Sequence, residues 1–383
     1  MKPIILVILC LWIVSCTHSS KQNLAFVDQL FDWEKKTELS KNQINLAQSI
    51  DTFFKSKVKH TGFNGCVLVV QKGSVIYNNY FGYADYKLKK VFNDSSAFQL
   101  ASVSKPFTAT AIMILYEEGK LSIDDPVKKY IKGFPYDSIT VKMLLNHRSG
   151  LQNYLYVFDT IKIPADSFIT NQTVAEYFIK NKPALQATPG KHFAYCNTNY
   201  ALLALVIEKV SGESYAQFIH NKIFVAAHMK HSFVSDAFDE ESFQNHVADY
   251  QGSQWKQVPK ALADGVLGDK GVYASCYDLY LFDQALNHEI LLKQSTLDLI
   301  YKGYSYEKPG IKNYGLGWRL KEFENGEKLI YHNGWWRGYN TLFCRLPVEN
   351  TCIIILSNKF NKSSYDVKAV FELLQMSDGV AED

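Results

Sequence analysis

Segments with the pattern of β-strands lie near both ends of this chain, and a long, mainly helical stretch separates them. Two strand candidates, 66–70 and 74–81, flank Lys72-Gly73, which predicts a tight turn between them. Three more candidates follow late in the chain, at 328–331, 339–346 and 352–356. This order is explained by one antiparallel five-stranded sheet made from both chain ends. Helices would flank the sheet, and a mainly helical domain would be inserted between its two parts. The sequence therefore predicts an α+β fold.

The same pattern sets the expected boundaries. A single folded unit is expected over 41–375, with sheet parts at about 41–120 and 268–375 and the helical insertion at about 121–267. Helical spacing predicts a helix at each end of the unit, over 42–58 and 365–374, and a tail over 376–383. We expect the ligand cleft between sheet and insertion, because ligand sites favour such boundaries.

Composition favours a substantial core and excludes one class of partner. Of the 383 residues, 47% are hydrophobic, which is ample for a buried core and argues against disorder. The net charge is only +3, and basic and acidic residues are mixed along the chain, so the sequence lacks the cluster of positive charge that binding to nucleic acid requires. We therefore expect no nucleic-acid partner.

The N-terminus has the pattern of an export signal. Lys2 is followed by an apolar run over 3–14 that is too short to span a bilayer. Ile13-Val14-Ser15-Cys16 resembles the lipobox of bacterial lipoproteins, which implies removal of the signal peptide 1–15 and a lipid on Cys16. Residues 16–40 would then be a polar tether, and the protein would be anchored in the bacterial cell envelope, on the periplasmic or outer-membrane side. Ordinary signal cleavage with an incidental cysteine is the alternative.

Cysteine and histidine usage favours neither disulfides nor a metal. Five cysteines would remain in the fold, an odd number without paired spacing, which argues against a disulfide framework. His228 and His231 are three apart, with His220 and His246 nearby, but no Glu or Cys completes a zinc pattern. We predict no metal and no cofactor. A nucleophilic Cys196 is a further idea, but the sequence places no histidine and carboxylate around it.

Ser102-Val103-Ser104-Lys105 opens a long apolar helical run. Ser102 and Lys105 share a helix face at this spacing, and Pro106 is tolerated only in a first turn, so the helix is expected to begin here. A serine hydroxyl needs a neighbouring base to become a nucleophile, and a buried lysine can serve. Ser-x-x-Lys also occurs at Ser56/Lys59, Ser253/Lys256 and Ser305/Lys308, but none of these opens a long apolar helix.

Two later motifs follow in the order that one hydrolase family uses. Tyr195-Cys196-Asn197 precedes an amphipathic helix, and there the tyrosine oxygen can relay a proton while the Asn197 amide can bind the lysine network and a substrate carbonyl. His332-Asn333-Gly334 follows a strand candidate, where a histidine can orient a bound acyl group and a glycine allows close approach of substrate. Each motif alone more often marks a structural residue.

Together these stretches resemble the serine β-lactamase and penicillin-binding-protein-like family, which includes class C β-lactamases, D-alanyl-D-alanine carboxypeptidases, D-aminopeptidases and related esterases. The resemblance runs from about Gly65 to about Lys359. It also includes the segments 63–69, 119–126, 144–151, 268–275 and 314–318. The co-linear order makes the resemblance specific.

The resemblance implies roles for the matching residues. Ser102 would form an acyl-enzyme, Lys105 and Tyr195 would share the base and acid duties, and Asn197 and His332 would orient the substrate. The N–H groups of Ser102 and Trp335, directly after Gly334, would form the oxyanion hole.

Two departures from the family pattern bear on the substrate. His332 stands where lactamases and carboxypeptidases more often have lysine, and a neutral imidazole is the poorer carboxylate anchor. Trp335 and Trp336 are expected to narrow the cleft, and Arg337 is predicted to supply a carboxylate clamp.

The sequence thus predicts a lipid-anchored serine hydrolase that cleaves an ester or amide in a small molecule or peptide. It would be of esterase or D-amino-acid peptidase type, with weak β-lactamase activity as a further option. The alternative is a catalytically inactive, penicillin-binding-like module that binds cell-wall peptide or another partner.

Overall fold

The computed structural model describes residues 38–161, 163–164, 167–235, 243–365 and 368–374. The predicted signal peptide, the lipidation site Cys16 and the C-terminal tail therefore lie outside the described residues. The unit described below begins at Lys41. Among the described helices, none combines the length and apolar character that crossing a membrane requires.

Ten α-helices and fourteen strands are present in the described ranges. The helices are α1 (Lys41–Thr61), α2 (Ser104–Glu117), α3 (Val141–Leu145), α4 (Tyr154–Phe158), α5 (Asn171–Asn181), α6 (Asn197–Ser211), α7 (Tyr215–Ile219), α8 (Cys276–Asn287), α9 (Gln294–Ile300) and α10 (Lys368–Leu373). The strands are β1 (Gly65–Gln71), β2 (Ser74–Phe81), β3 (Tyr83–Asp85), β4 (Lys90–Val91), β5 (Phe98–Gln99), β6 (Phe233–Val234), β7 (Tyr250–Gln251), β8 (Lys256–Gln257), β9 (Val272–Ala274), β10 (Lys312–Tyr314), β11 (Arg319–Glu322), β12 (Lys328–Trp336), β13 (Tyr339–Leu346) and β14 (Thr351–Ser357).

The main sheet joins the two ends of the folded unit. Its strands lie in the order β10-β11-β12-β13-β14-β1-β2, and all neighbours are antiparallel. Val67 on β1 lies opposite Ile355 on β14, so the N-terminal hairpin closes directly onto the last strand. The predicted α+β fold with one antiparallel sheet from both ends is confirmed, although the sheet has seven strands here instead of five.

Burial of the central strands explains the helices around them. Almost every residue of β1, β13 and β14 is buried, which requires cover on both faces of the sheet. Helix α1 packs against β2, and helix α8 packs against β1 and β14. The long middle of the chain is mainly helical, as predicted. Helix α6 packs against α2, and the turn Ala101–Val103 that precedes α2 contacts strand β12.

Candidate active site

Ser102 and Lys105 meet at the start of the buried helix α2. Ser102 lies in a short 3-10 turn over Ala101–Val103, and α2 begins at Ser104 with Pro106 in its first turn. Lys105 is completely buried, and its Nζ lies 2.9 Å from Ser102 Oγ. The amine donates to the serine oxygen, and at this distance a neutral amine can take the serine proton.

A loop between Gly268 and Val272 holds Lys105 in place. The Lys105 amine donates a hydrogen bond of 3.0 Å to the carbonyl of Asp269. Thr108 Oγ1 donates to the Gly268 carbonyl at 2.7 Å, and the Val272 N–H donates to Ser104 Oγ at 3.1 Å. The first two turns of α2 are therefore hydrogen-bonded to this loop, which holds the Lys105 amine close to the Ser102 hydroxyl.

Tyr195 lies beside the pair, with its ring between two cations. Lys105 Nζ is 5.0 Å and Arg319 Cζ is 5.1 Å from the ring centroid. Asn197 begins helix α6, and its Oδ1 is buried without a hydrogen-bond partner among the described residues. A buried acceptor without a partner is costly, so this oxygen is available for a donor on a ligand or on Lys105. The structure thus brings the first two predicted motifs together.

His332 is placed close to these groups, but both of its ring nitrogens are occupied. The imidazole is completely buried on β12, its Nδ1 lies 2.7 Å from the Asn333 carbonyl, and its Nε2 lies 3.2 Å from Tyr314 Oη. Nδ1–H must donate to the carbonyl, so Nε2 accepts from the tyrosine. Burial, with the charges of Arg319 and Lys105, holds the pKa of His332 well below its usual range. These contacts do not support direct orientation of substrate by the ring.

Gly334 brings strand β12 against the nucleophile turn. A Cβ on this residue would lie 2.4 Å from the Leu100 carbonyl oxygen and 3.0 Å from Ser102 N, so only glycine allows the approach. Pairing of β11 with β12 ends where Arg319 lies opposite Tyr331, which leaves residues 332–336 without a strand partner on that side among the described strands. A substrate main chain can add to this edge.

The two tryptophans lie on opposite faces of β12. Side chains alternate along a strand, so Trp336 shares a face with Gly334 while Trp335 points to the other face. Trp336 Nε1 donates to Asp264 at 2.6 Å, whereas Trp335 is 63% exposed and packs against Phe360. The expectation that both rings narrow the cleft is therefore wrong for Trp335. Its predicted role as an oxyanion donor concerns its main-chain N–H and stays a prediction.

Arg337 is held inside the protein by two carboxylates. Its Nη2 lies 2.6 Å from Asp249 and its Nη1 lies 3.1 Å from Asp264, and all three side chains are at most 7% exposed. The Gly338 N–H donates to Asp249 as well. A guanidinium that already neutralises two buried carboxylates has no charge left for a substrate. These contacts do not support the predicted carboxylate clamp.

Arg319 is a cation that the sequence reasoning missed. It lies on β11, half-buried, and its Nε is buried without a hydrogen-bond partner in the described structure. It lines a pocket of about 1070 Å³ together with Phe193, Tyr314 and Tyr331. The sequence offers one indication of its importance: Arg319 directly follows the segment 314–318, which carries part of the family resemblance.

His147 is a second residue that was missed. It is completely buried, and its ring centroid lies 4.3 Å from that of Tyr195. Its segment, 144–151, was recognised only as part of the resemblance, because a lone histidine in a loop carries no chemical signal by itself.

The cysteines do not supply a nucleophile, and the histidine candidates do not form a metal site among the described residues. Five cysteines of the described residues are buried and form no disulfide: Cys66, Cys196, Cys276, Cys344 and Cys352. Burial raises the pKa of the Cys196 thiol, which disfavours the thiolate that a nucleophile requires. No group of three or more His, Cys, Asp or Glu side chains in the described ranges is arranged to hold a metal ion.

Comparison with known proteins agrees with this geometry. The family model described as Beta-lactamase matches residues 50–376. Penicillin-binding protein 4* of Bacillus subtilis is 32% identical over 338 residues, which cover 84% of this chain and 74% of that protein. A D-aminopeptidase of Brucella anthropi is 26% identical over 87% of this chain and 62% of its own length.

Solved structures show the same fold. A penicillin-binding protein homologue from Pyrococcus abyssi, described as octameric, superposes with a TM-score of 0.75 at 26% identity, covering 86% of this chain and 78% of that one. A penicillin binding protein from Bacillus halodurans gives a TM-score of 0.73 at 22% identity, covering 84% of this chain and 98% of that one.

Proposed function

The chain belongs to the Beta-lactamase family of serine hydrolases, and on that premise we propose that Ser102 forms an acyl-enzyme with an ester or amide that water then hydrolyses. The observation that carries the proposal is the 2.9 Å contact between the buried Lys105 amine and Ser102 Oγ. A buried lysine held against a serine at a helix start is the arrangement that makes a serine nucleophilic.

The proposed steps assign each proton. Lys105, in its neutral form, takes the proton of Ser102 as Oγ bonds to the substrate carbonyl carbon. The N–H groups of Ser102 and Trp335 stabilise the resulting oxyanion. When the carbon–leaving group bond breaks, Tyr195 gives a proton to the departing oxygen or nitrogen, and the lysine proton replaces it. Water attacks the acyl-enzyme by the reverse proton path and restores Ser102.

The pocket around Arg319 favours substrates that carry a carboxylate. The Arg319 guanidinium lies beside the Tyr195 ring, and Lys308 and Lys312 line the same pocket, so the positive charge here suits an anionic group on the substrate. D-amino-acid peptides and their ester analogues carry such a group. The names of the relatives, a penicillin-binding protein and a D-aminopeptidase, support a peptide substrate.

Acylation of Ser102 is the direct test of this proposal. Incubation with penicillin, a short-chain aryl ester or a D-alanyl peptide is expected to add the corresponding acyl mass to the protein, and peptide mapping is expected to place it on Ser102. The Ser102→Ala variant is the control and should gain no mass. If no substrate and no serine-directed probe labels the wild-type protein, the inactive binding module is the better description.

Replacement of Arg319 tests the substrate class. The Arg319→Met variant is expected to raise KM for a carboxylate-bearing ester about 10- to 100-fold, because a hydrogen bond to a charged group contributes about 1.5–3 kcal/mol. KM for the neutral ester with the same acyl group should change little. Lys256, which is exposed and is not among the residues that line this pocket, supplies the control as Lys256→Met. Equal changes for both esters would remove Arg319 from the recognition of carboxylates.

We also propose that Cys16 carries a lipid that anchors the protein in the bacterial cell envelope. The support is the sequence Ile13-Val14-Ser15-Cys16 after an apolar run. A Cys16→Ser variant is expected to move from the membrane fraction to the soluble fraction and to lose metabolic labelling by an alkyne fatty acid. Unchanged labelling in this variant would rule out Cys16 as the acceptor.

A further inference from the structure

His147 holds the main chain on both sides of Tyr195. The Ala194 N–H donates to the His147 carbonyl at 2.9 Å, and the Cys196 N–H donates to His147 Nδ1 at 3.2 Å. The imidazole also packs against the Tyr195 ring, with a centroid distance of 4.3 Å and an angle of 39°. One buried residue thus contacts the residue before Tyr195, the residue after it and the tyrosine ring itself.

The hydrogen bonds of His147 define its protonation state. Asn199 Nδ2 lies 3.1 Å from the same Nδ1, and the Asn199 Oδ1 accepts from Ser149 at 2.6 Å, so the amide nitrogen faces the imidazole. Nδ1 receives two N–H donors and must carry a lone pair, which places the ring proton on Nε2. Burial, with the charges of Lys105, His332 and Arg319, holds the pKa of His147 well below its usual range. The acceptor is therefore retained near neutral pH.

Tyr195 depends on this support because its hydroxyl is not fixed. In the part of the chain that the structure describes, no hydrogen bond holds the Tyr195 hydroxyl, so the main chain and the ring contacts set its position. We infer that His147 is a positioning residue for Tyr195, which keeps the hydroxyl where it protonates the leaving group. The inference rests on the role of Tyr195 in the proposed function. His147 itself would transfer no proton and would act only by fixing the position of Tyr195.

The test compares two esters with the same acyl group, a p-nitrophenyl ester and an ethyl ester. Nitrophenolate leaves without a proton, whereas ethoxide needs one, so loss of a positioned acid selectively slows the ethyl ester. His147→Phe retains a ring but removes the acceptor, and His147→Gln moves the acceptor away from the Nδ1 position. His147→Asn places an oxygen where Nδ1 lies and tolerates the backbone φ of 57°.

We expect His147→Phe and His147→Gln to lower kcat/KM for the ethyl ester at least about tenfold more than for the nitrophenyl ester, mainly through kcat. His147→Asn should retain a ratio within about threefold of wild type. His228 has a similar φ of 56° and lies in a turn after α7, so His228→Phe controls for backbone strain. Labelling by a fluorophosphonate, whose fluoride leaves without an acid, should remain near the wild-type rate in all these variants.

Tyr195→Phe separates the two ways in which the test can fail. If Tyr195→Phe selectively slows the ethyl ester but neither His147→Phe nor His147→Gln does, the positioning role is wrong and the role of Tyr195 stands. If Tyr195→Phe shows no selectivity, the acid role of Tyr195 and the inference fall together. Equal losses on both esters with slow fluorophosphonate labelling would show that His147 serves the fold and not the position of Tyr195.

Discussion

The Lys105→Met variant is expected to lose about 10²- to 10⁴-fold in kcat/KM on every substrate that acylates Ser102, because general base catalysis contributes on this order. The methionine side chain fills a similar volume in the fully buried site but cannot accept the serine proton. Steady-state kinetics on an aryl ester and the labelling rate of a fluorophosphonate probe measure the loss. Both should fall, because each reports on the nucleophilicity of Ser102.

The chain supplies its own control for this experiment. Ser253 and Lys256 have the same spacing, but both are exposed and lie at a turn and a two-residue strand. Lys256→Met should leave kcat/KM within about twofold of wild type, since an exposed surface substitution rarely perturbs a distant site. A Lys105→Met variant that retains its fold and more than about one tenth of the wild-type labelling rate would exclude Lys105 as the base.

The second large effect is on stability. The Arg337→Met variant is expected to lower the free energy of unfolding by about 3–5 kcal/mol, because it removes the positive charge that compensates the buried carboxylates of Asp249 and Asp264. Urea unfolding followed by circular dichroism measures the change in the midpoint. In the fraction of the variant that remains folded, the ratio of rates on carboxylate-bearing and neutral esters should stay near the wild-type ratio.

An exposed ion pair provides the comparison for Arg337. Lys128 and Asp137 lie 2.9 Å apart with side chains 46% and 79% exposed, so Lys128→Met should change the free energy of unfolding by less than about 1 kcal/mol. An equally small change for Arg337→Met would mean that the buried carboxylates find other partners. A selective loss on carboxylate-bearing esters would instead restore Arg337 as the substrate clamp.

The sheet could be predicted from its long strands but not from its short ones. Strand β14 has a continuous apolar run, and Lys72-Gly73 marks the turn between β1 and β2, so these three strands could be predicted from the sequence. Strands β10 and β11 have only three and four residues, too few for a period to be visible, and β10 is mostly polar. The pairing of β10 with β11, and of β11 with β12, is a tertiary effect, which is why the sheet has more strands than predicted.

Local spacing predicted the nucleophile and its base, because Ser102 and Lys105 are three residues apart along the same backbone. Spacing along the chain could not show whether Arg319 or Arg337 is available to bind a substrate carboxylate. Whether a guanidinium faces a pocket or a pair of carboxylates depends on residues such as Asp249, far away in sequence. The alternation of Trp335 and Trp336 was readable in principle, since a strand places neighbours on opposite faces.

The pairing of β1 with β14 has a consequence for how the protein is made. Gly65 lies opposite Ser357, so one side of β1 has no strand to pair with until the chain has been made as far as Ser357. Contacts between residues so far apart in sequence predict slow folding, because the entropy of closing a long loop is lost before they form. Strand β12, which lies against Ser102, is also a late segment, so truncated chains should have no hydrolytic activity.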